Sequence, residues 1–159
     1  MSKKINWGTF FIDVMVVFVS ILAGIGVSKF IVFRASVDGC SMEPTYYDGD
    51  ICYALVQEQP QRGDVVVVEV EGYSLYLIKR VVGMPGETIQ IINSKVYVNG
   101  EEYTEDYIAD GKYTSGIAED EVLLGINEYF VLGDNRPVSN DSRFFGSISR
   151  SQIKGVVIR

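Results

Sequence analysis

The sequence predicts a mainly β protein, in which a single N-terminal transmembrane helix is followed by an antiparallel β domain. Two observations support this prediction. A long apolar segment occupies residues 10–33. The rest of the chain alternates short apolar, β-branched and aromatic runs with clusters of Gly, Pro and Asp, which is typical of strands joined by tight turns. A chain of 159 residues has room for one compact domain after the apolar segment.

The apolar segment, "FFIDVMVVFVSILAGIGVSKFIVF", contains two charged residues, Asp13 and Lys29. As a helix, its 24 residues would measure about 36 Å, enough to cross a bilayer core of ~30 Å. A cleaved signal peptide is the alternative, but the apolar core of such a peptide usually spans about 7 to 15 residues. We therefore predict a retained anchor over 10–33. Residues 1–9 are expected in the cytoplasm, because two lysines near the N-terminus favour that side.

The predicted β domain spans residues 36–159 and is expected outside the membrane. Its candidate strands are "DICYALV", "DVVVVEV", "SLYLIKRVV", "TIQIIN", "KVYVNG", "EYFVLG" and "IKGVVIR". The stretch "QIINSKVYVNG" predicts a hairpin that turns at Asn93 and Ser94. Residues 101–121 are polar, with scattered aromatic side chains and a weak pattern, so we expect them on the surface.

The composition excludes several kinds of chemistry. The formal net charge is −7, which argues against nucleic acid as a partner. The chain has no histidine, so Ser-His-Asp and Cys-His catalysis are excluded and the commonest zinc ligand is missing. Two cysteines, Cys40 and Cys52, are too few for a disulfide scaffold, and their spacing does not establish a bridge. No metal or cofactor is expected.

A base other than histidine can be sought in "SLYLIKRVVG". On a strand, Leu75, Leu77, Lys79 and Val81 share one face, so Lys79 lies in an apolar row. Burial disfavours the ammonium form, and lowering a lysine pKa from ~10.4 towards 7 corresponds to about 4 to 5 kcal/mol. The neutral amine could then accept a proton from a serine. The alternative is a lysine at a strand edge whose charged end reaches water.

The stretch "GCSMEPT" places a thiol and a hydroxyl side by side, at Cys40 and Ser41. Gly39 frees the backbone and Pro44 limits helix formation before it, so Ser41 should lie in an irregular turn. Such a serine is either a nucleophile or a hydroxyl that bonds to local backbone groups.

The stretch "GDNRPVSNDSRFFG" is dense in polar and charged groups. Asp–Arg pairs would explain four of its residues without any catalysis, namely Asp134, Arg136, Asp141 and Arg143. These pairs leave Ser139 and Ser142 without an assigned role. A lysine base needs a hydroxyl or carbonyl to orient its amine, which is a possible role for one of these serines.

These elements, in this order after an N-terminal anchor, resemble type I signal peptidases, the membrane-bound serine proteases that remove signal peptides from exported proteins. The matching stretches are "SMEPT" followed by "DGD", "RGDVVVV", "KRVVGMPGE" and "GDNRPVSNDSR" with Gly146 after it. The resemblance implies Ser41 as the nucleophile and Lys79 as the general base. Ser139 matches a serine that hydrogen-bonds the lysine. Four residues match charged groups that brace the site: Arg80, Asp134, Asp141 and Arg143.

The resemblance also implies substrates and a location. The substrates would be exported preproteins, cut after a small residue such as alanine, and the enzyme would sit in the cytoplasmic membrane as a single-pass protein with its catalytic domain on the outer face of the lipid bilayer. Gly39 and Met42 match the substrate-binding and oxyanion side of the site, to which the Ser41 N–H would contribute. Some members have a serine where this chain has Gly39, so the resemblance leaves the second oxyanion donor open. A single anchor and a compact β domain are typical of the Gram-positive type. Cys40 is expected to pack as a small apolar residue.

Two other functions are considered. A catalytically silent or dedicated relative could act in the assembly of surface proteins such as pili, but a silent relative should have lost Ser41 or Lys79, and both are present. A self-cleaving Ser/Lys repressor shares the two residues but requires a DNA-binding region, and the apolar segment occupies that end of the chain.

Overall fold

A computed structural model describes residues 7–56, 58–72, 76–108, 114 and 120–158. Its first element, helix α1, runs from Trp7 to Ile31 and covers most of the segment predicted as an anchor. All of the side chains from residue 11 to residue 24 are exposed, including Phe11 and Met15. Among the described residues, no helix combines the length and the hydrophobicity that a membrane span requires. The helix is confirmed, and its role as a transmembrane anchor remains a prediction.

Short strands follow the helix. Their bounds are β1 Val32–Ser36, β2 Ile51–Leu55, β3 Val65–Val68, β4 Leu77–Gly83, β5 Thr88–Ile92, β6 Lys95–Val98, β7 Glu101–Glu102, β8 Val122–Leu123, β9 Glu128–Leu132, β10 Ile148–Ser149 and β11 Ile153–Val157. A four-residue helix, α2 Ser142–Phe145, and a short 3-10 turn at Arg150–Gln152 lie between β9 and β11. Each of the seven predicted strands is found.

The strands form two antiparallel sheets. In the part of the chain described, the larger sheet has seven strands in the order β1-β2-β11-β3-β4-β9-β10, and the smaller has four in the order β7-β6-β5-β8. The predicted hairpin is confirmed, since Ile92 pairs with Lys95 and the turn residues Asn93 and Ser94 have positive φ. The predicted mainly antiparallel β fold is therefore confirmed.

The run "VVVV" of β3 is buried on both faces. Val66 and Val68 belong to one apolar cluster with Val81, whereas Val65 and Val67 belong to another. A third cluster joins the smaller sheet to β4 and β9; it contains Val82, Ile89, Ile91, Val96, Leu124, Phe130 and Leu132. Strands β4 and β9 contribute side chains to the first and the third cluster, so both strands are packed on their two faces. Strand β4 carries the candidate base.

Two features depart from the sequence predictions. The anchor helix was predicted to extend to residue 33, but α1 ends at Ile31 and strand β1 follows it directly, so Val32 and Phe33 pair with β2 instead. Residues 101–121 were expected on the surface, but Thr114 is buried and Glu105 is nearly so, because both bind an arginine of the interior. That surface placement is therefore wrong for Glu105 and Thr114, whereas residues 109–113 and 115–119 lie outside the described residues.

Candidate active site

The site forms where the β1–β2 loop meets strand β4. Ser41 lies in the turn after β1, and Lys79 lies in the middle of β4. The Lys79 Nζ is 2.8 Å from the Ser41 Oγ and also donates to the Ile78 carbonyl at 2.8 Å. Two residues that are 38 positions apart in the chain are thus in hydrogen-bonding contact. This is the distance that a base needs to take a proton from a hydroxyl.

Lys79 is buried, with 2 % of its surface exposed, so of the two alternatives that its strand left open, burial in the apolar row is the one found. The neighbouring strand residue Val81 is also buried, whereas Leu75 lies outside the described residues. Burial lowers the pKa of Lys79 to about 8, because the charged ammonium loses water, and the nearby carboxylates of Asp141 and Asp134 oppose this shift in part. A substantial fraction of the amine is therefore neutral slightly above pH 7, which a general base requires.

The Ser41 amide N–H makes no hydrogen bond within the part of the chain that the structure describes. Its carbonyl, in contrast, accepts a hydrogen bond of 3.0 Å from the backbone N–H of Asn135. A backbone donor without a protein partner beside a nucleophile is the kind of group that stabilises a developing oxyanion.

Gly133 lies in the loop after β9, at the point where this loop approaches Ser41 in the β1–β2 loop. A Cβ at this position would fall 2.2 Å from the Ser139 Oγ and 2.6 Å from the Ser41 carbonyl oxygen, distances that no side chain tolerates. Strand β4 pairs with β9 so that Arg80 is opposite Leu132, and this register brings the residues after Leu132 beside Lys79. Sequence reasoning did not single out Gly133; its only signal was its place at the start of "GDN".

Ser139 was predicted to hydrogen-bond the lysine. Its hydroxyl is buried, but among the described residues it has no hydrogen-bond partner. The Lys79 amine donates instead to Ser41 and to the carbonyl of Ile78. The Ile78 carbonyl thus has the orienting role that the family resemblance implied for Ser139.

Arg80 and Asp134 form a buried ion pair next to Lys79. The Arg80 Nε donates to one carboxylate oxygen at 2.8 Å and Nη2 to the other at 2.5 Å. The Thr45 hydroxyl donates to the same carboxylate at 2.5 Å, and Tyr107 stacks on the guanidinium with its ring centre 4.0 Å away. Burial raises the pKa of Tyr107, so the ring is neutral. Sequence reasoning missed Thr45 and Tyr107.

Asp141 and Arg143 form a second pair. The Arg143 Nε and Nη2 donate to the two carboxylate oxygens at 2.8 and 2.9 Å. The same carboxylate accepts the N–H of Gly133 at 3.0 Å and that of Arg143 at 3.2 Å, where it caps α2. The Asp–Arg pairing expected for this stretch is therefore found for these two residues.

Arg136 does not pair with an aspartate. Its Nη1 and Nη2 donate to the carboxylate of Glu105, at 3.0 and 2.5 Å, and Nη1 also donates to Thr114 at 2.7 Å. The Asp–Arg explanation is wrong for this residue, because its partner comes from the polar segment 101–121 and no local pattern indicates that contact.

Gly39 and Met42 flank the nucleophile differently. Gly39 has a φ of +85°, which favours glycine, and its N–H donates to the Asp48 carboxylate at 2.8 Å. Met42 is fully buried in the cluster that includes Ile78. A contribution of Met42 to substrate binding can therefore come from its main chain alone.

The two cysteines are free thiols in different surroundings. Cys52 is buried, and burial raises the pKa of its thiol. Cys40 is exposed, so the expectation that it packs as a small apolar residue is wrong. The backbone around "GCSM" turns Ser41 towards Lys79 and leaves the thiol in contact with solvent.

The chain is similar over most of its length to proteins of one known family. Residues 9–159 match the family described as signal peptidase, peptidase S26. The chain is 37% identical to "Signal peptidase IB" of Staphylococcus aureus over 150 residues, covering 82% of this chain and 78% of that protein. It is 30% identical to "Signal peptidase I" of Bacillus licheniformis over 156 residues, covering 89% and 83%. The crystal structure of a signal peptidase I from Enterococcus faecalis superposes with a TM-score of 0.55 and 30% identity, over 64% of this chain and 98% of the other.

Proposed function

Because the chain belongs to the signal peptidase family, peptidase S26, and is a serine endopeptidase of that family, we propose that Ser41 and Lys79 cleave N-terminal signal peptides from exported preproteins. The observation that supports these roles is the hydrogen bond of 2.8 Å between the Lys79 Nζ and the Ser41 Oγ. The lowered pKa of Lys79 supports them as well.

The reaction follows from these groups. As the Ser41 Oγ attacks the scissile carbonyl, the neutral Lys79 amine takes the hydroxyl proton, and the Ser41 N–H donates to the oxyanion. The lysine then gives the proton to the leaving amine, and the peptide bond breaks to leave an ester on Ser41. A water molecule, deprotonated by Lys79, hydrolyses that ester and restores the enzyme.

The charged residues of the site act as supports in this proposal. Arg80 with Asp134 and Arg143 with Asp141 are closed ion pairs whose donors and acceptors are satisfied internally, so they brace the two loops and do not contact the substrate. Cleavage after a small residue such as alanine is part of the proposal and derives from the family resemblance.

We place the enzyme at the cytoplasmic membrane, with α1 as its single-pass anchor and the β domain on the outer face. The exposed apolar side chains of α1 support this, because a water-soluble helix would not expose them on every face. The net charge of −7 argues against a role for nucleic acid. The lipid bilayer is proposed as a partner because of the exposed apolar side chains of α1, and exported preproteins because of the family. The proposed domain limits are 1–9, 10–33 and 36–159, with the helical part of the anchor ending at Ile31, where β1 follows.

A catalytically silent relative that assembles surface proteins such as pili is the alternative. Contact between a serine and a buried lysine of lowered pKa argues against it, since a silent protein gains nothing from burying a lysine.

Cleavage of one preprotein tests the proposal. The purified full chain, in detergent, should release a signal peptide from a preprotein with an alanine-ending signal, and N-terminal sequencing should place the cut after that small residue. The Ser41→Ala variant should leave the preprotein intact. An inactive wild-type chain, or a variant that cuts as fast as wild type, would contradict the proposal.

A further inference from the structure

We infer that Asn135 is a positioning residue, which orients the Ser41 N–H towards the oxyanion by holding the Cys40 carbonyl. The inference rests on the proposed function, since it concerns a group of the same site. Asn135 is buried, and its Nδ2 donates a hydrogen bond of 3.0 Å to the Cys40 carbonyl oxygen. Its own backbone N–H donates to the next carbonyl, that of Ser41, at 3.0 Å. One residue thus anchors two successive carbonyls of the nucleophile turn.

The geometry of the peptide bond connects this anchor to the reaction. The Cys40 carbonyl and the Ser41 N–H belong to the same planar peptide group, and in a trans peptide they point in opposite directions. Fixing the direction of the carbonyl therefore fixes the direction of the N–H. That N–H has no partner among the described residues, so it is free to donate to a charge that develops during the reaction.

The remaining bonds of the turn do not replace this anchor. The Cys40 carbonyl also accepts the N–H of Glu43, but at 3.3 Å and from within the turn itself. Within the described residues, Asn135 is thus the donor that ties this peptide to the rest of the protein. Its loop is held in turn by the Asp134–Arg80 pair, because Asp134 directly precedes it.

A side-chain amide is suited to this position. It donates to a carbonyl without carrying a charge, so it does not repel the Lys79 ammonium or compete with it for Asp134 and Asp141. Aspartate has the same shape but presents only acceptors when ionised. Replacement by aspartate therefore removes the bond and sets two oxygens against each other.

The test compares three variants of the full chain in detergent: Asn135→Ala, Asn135→Asp and, as a matched control, Asn127→Ala, whose exposed side chain lies in the turn before β9. Loss of an oxyanion donor typically costs about 10²- to 10³-fold in kcat. Because the Ser41 N–H remains but is less well directed, we expect kcat to fall on the order of 10- to 100-fold in both Asn135 variants. The KM for the preprotein should stay near its wild-type value in both Asn135 variants. The control Asn127→Ala should keep the wild-type kcat and KM.

Three readouts separate orientation of the Ser41 N–H from a general structural role. A peptide aldehyde that ends in alanine adds to Ser41 and forms a tetrahedral oxyanion, so its inhibition constant should rise by the same factor by which kcat/KM falls. In Asn135→Ala the pH dependence of kcat should keep its midpoint, because Lys79 and the carboxylates of Asp134 and Asp141 are unchanged. The signal of the ¹³C-labelled carbonyl of Cys40 should shift in both variants, whereas that of Cys52 should not.

Other results would overturn the inference. These are an unchanged kcat/KM in both Asn135 variants, a higher KM with an unchanged kcat, or a lower kcat with unchanged affinity for the aldehyde. Asn135→Asp keeps the shape of the side chain, so it serves as the folded variant if Asn135→Ala unfolds. If the wild type fails to cut any preprotein, the proposed function fails; if it cuts and the Asn135 variants cut equally well, only the role of Asn135 fails.

Discussion

The guanidinium of Arg80 and the carboxylate of Asp134 form a two-point ion pair in the interior, with N–O distances of 2.8 and 2.5 Å. Both side chains are almost completely buried. Arg80 follows Lys79 in β4, and Asp134 lies in the loop that contacts Ser41, so this pair joins the two halves of the site.

We predict that Asp134→Ala lowers the free energy of unfolding by about 3 to 5 kcal/mol, because it leaves a buried guanidinium without its partner. Urea unfolding would measure the change. The control is Glu102→Ala, which breaks the exposed pair with Lys95 and should have little effect. An Asp134→Ala protein as stable as wild type would show that the pair does not hold the site together.

The pKa of about 8 for Lys79 predicts how activity depends on pH. The neutral amine is the base, so kcat should rise from pH 6 and level off above about pH 9. Lys79→Arg should be inactive despite its charge, since a guanidinium does not lose its proton in proteins. In Asp134→Asn, one charge that raises the lysine pKa is gone, so the midpoint of the profile should move to lower pH. A profile with no midpoint between pH 6 and 10 would exclude Lys79 as the base.

The lowered pKa of Lys79 also predicts that the stability of the protein depends on pH. The pKa of Lys79 is about 8 in the folded state and ~10.4 in the unfolded chain. Between these values the unfolded state binds the extra proton, so stability rises with pH by about 3 kcal/mol in total. Below pH 8 both states are protonated and the full cost of burying the charge applies. Lys79→Met should therefore be more stable than wild type at pH 7, and the difference should shrink as the pH rises to 10; a constant difference would contradict the shift.

Gly133→Ala is predicted to lower both activity and stability. The new methyl group would lie 2.2 Å from the Ser139 Oγ and 2.6 Å from the Ser41 carbonyl oxygen, so the loop must move away from the nucleophile. A displacement of this kind can cost about 10²-fold in rate. Gly24→Ala is the control, because nothing lies within 4 Å of the added carbon. Cleavage rates and thermal unfolding measure the effect, and wild-type activity in Gly133→Ala would show that the loop adapts freely.

Ser41, and not Cys40, is predicted to be the nucleophile. Ser41→Ala should abolish cleavage of a preprotein, whereas Cys40→Ala should keep most of the wild-type rate, because the Lys79 amine contacts the Ser41 hydroxyl and the thiol is exposed. A small thiol-alkylating reagent should label Cys40 before the buried Cys52 and inhibit weakly. Loss of activity in Cys40→Ala with retention in Ser41→Ala would reverse the assignment.

The proposed topology predicts that the domain after Ala35 faces outside. Protease added to intact spheroplasts should digest it without lysis, because residues 36–159 would be accessible from that side of the membrane. A cytoplasmic protein of the same cells serves as the control for intact membranes. A domain that is protected until the cells are lysed would reverse the orientation and remove the secretory role.

The sequence by itself determined the secondary structure and the class of chemistry. Alternation and turn residues predicted the main strands and the hairpin at Asn93 and Ser94, because these signals depend on neighbours within a few residues. The absence of histidine reduced the search for a base to a few residue types, and the apolar row around Lys79 left burial and a strand-edge position as the two alternatives.

The tertiary structure decided which groups meet. Contacts between Lys79 and Ser41, between Arg136 and Glu105, and between Asn135 and Cys40 join residues far apart in the chain. Their partners depend on which distant strands pair and on how the loops pack over the sheet, and the local pattern around each residue specifies neither. The family resemblance implies the first contact. The other two emerged only when the folded chain showed which carbonyls and carboxylates lay within reach of each donor.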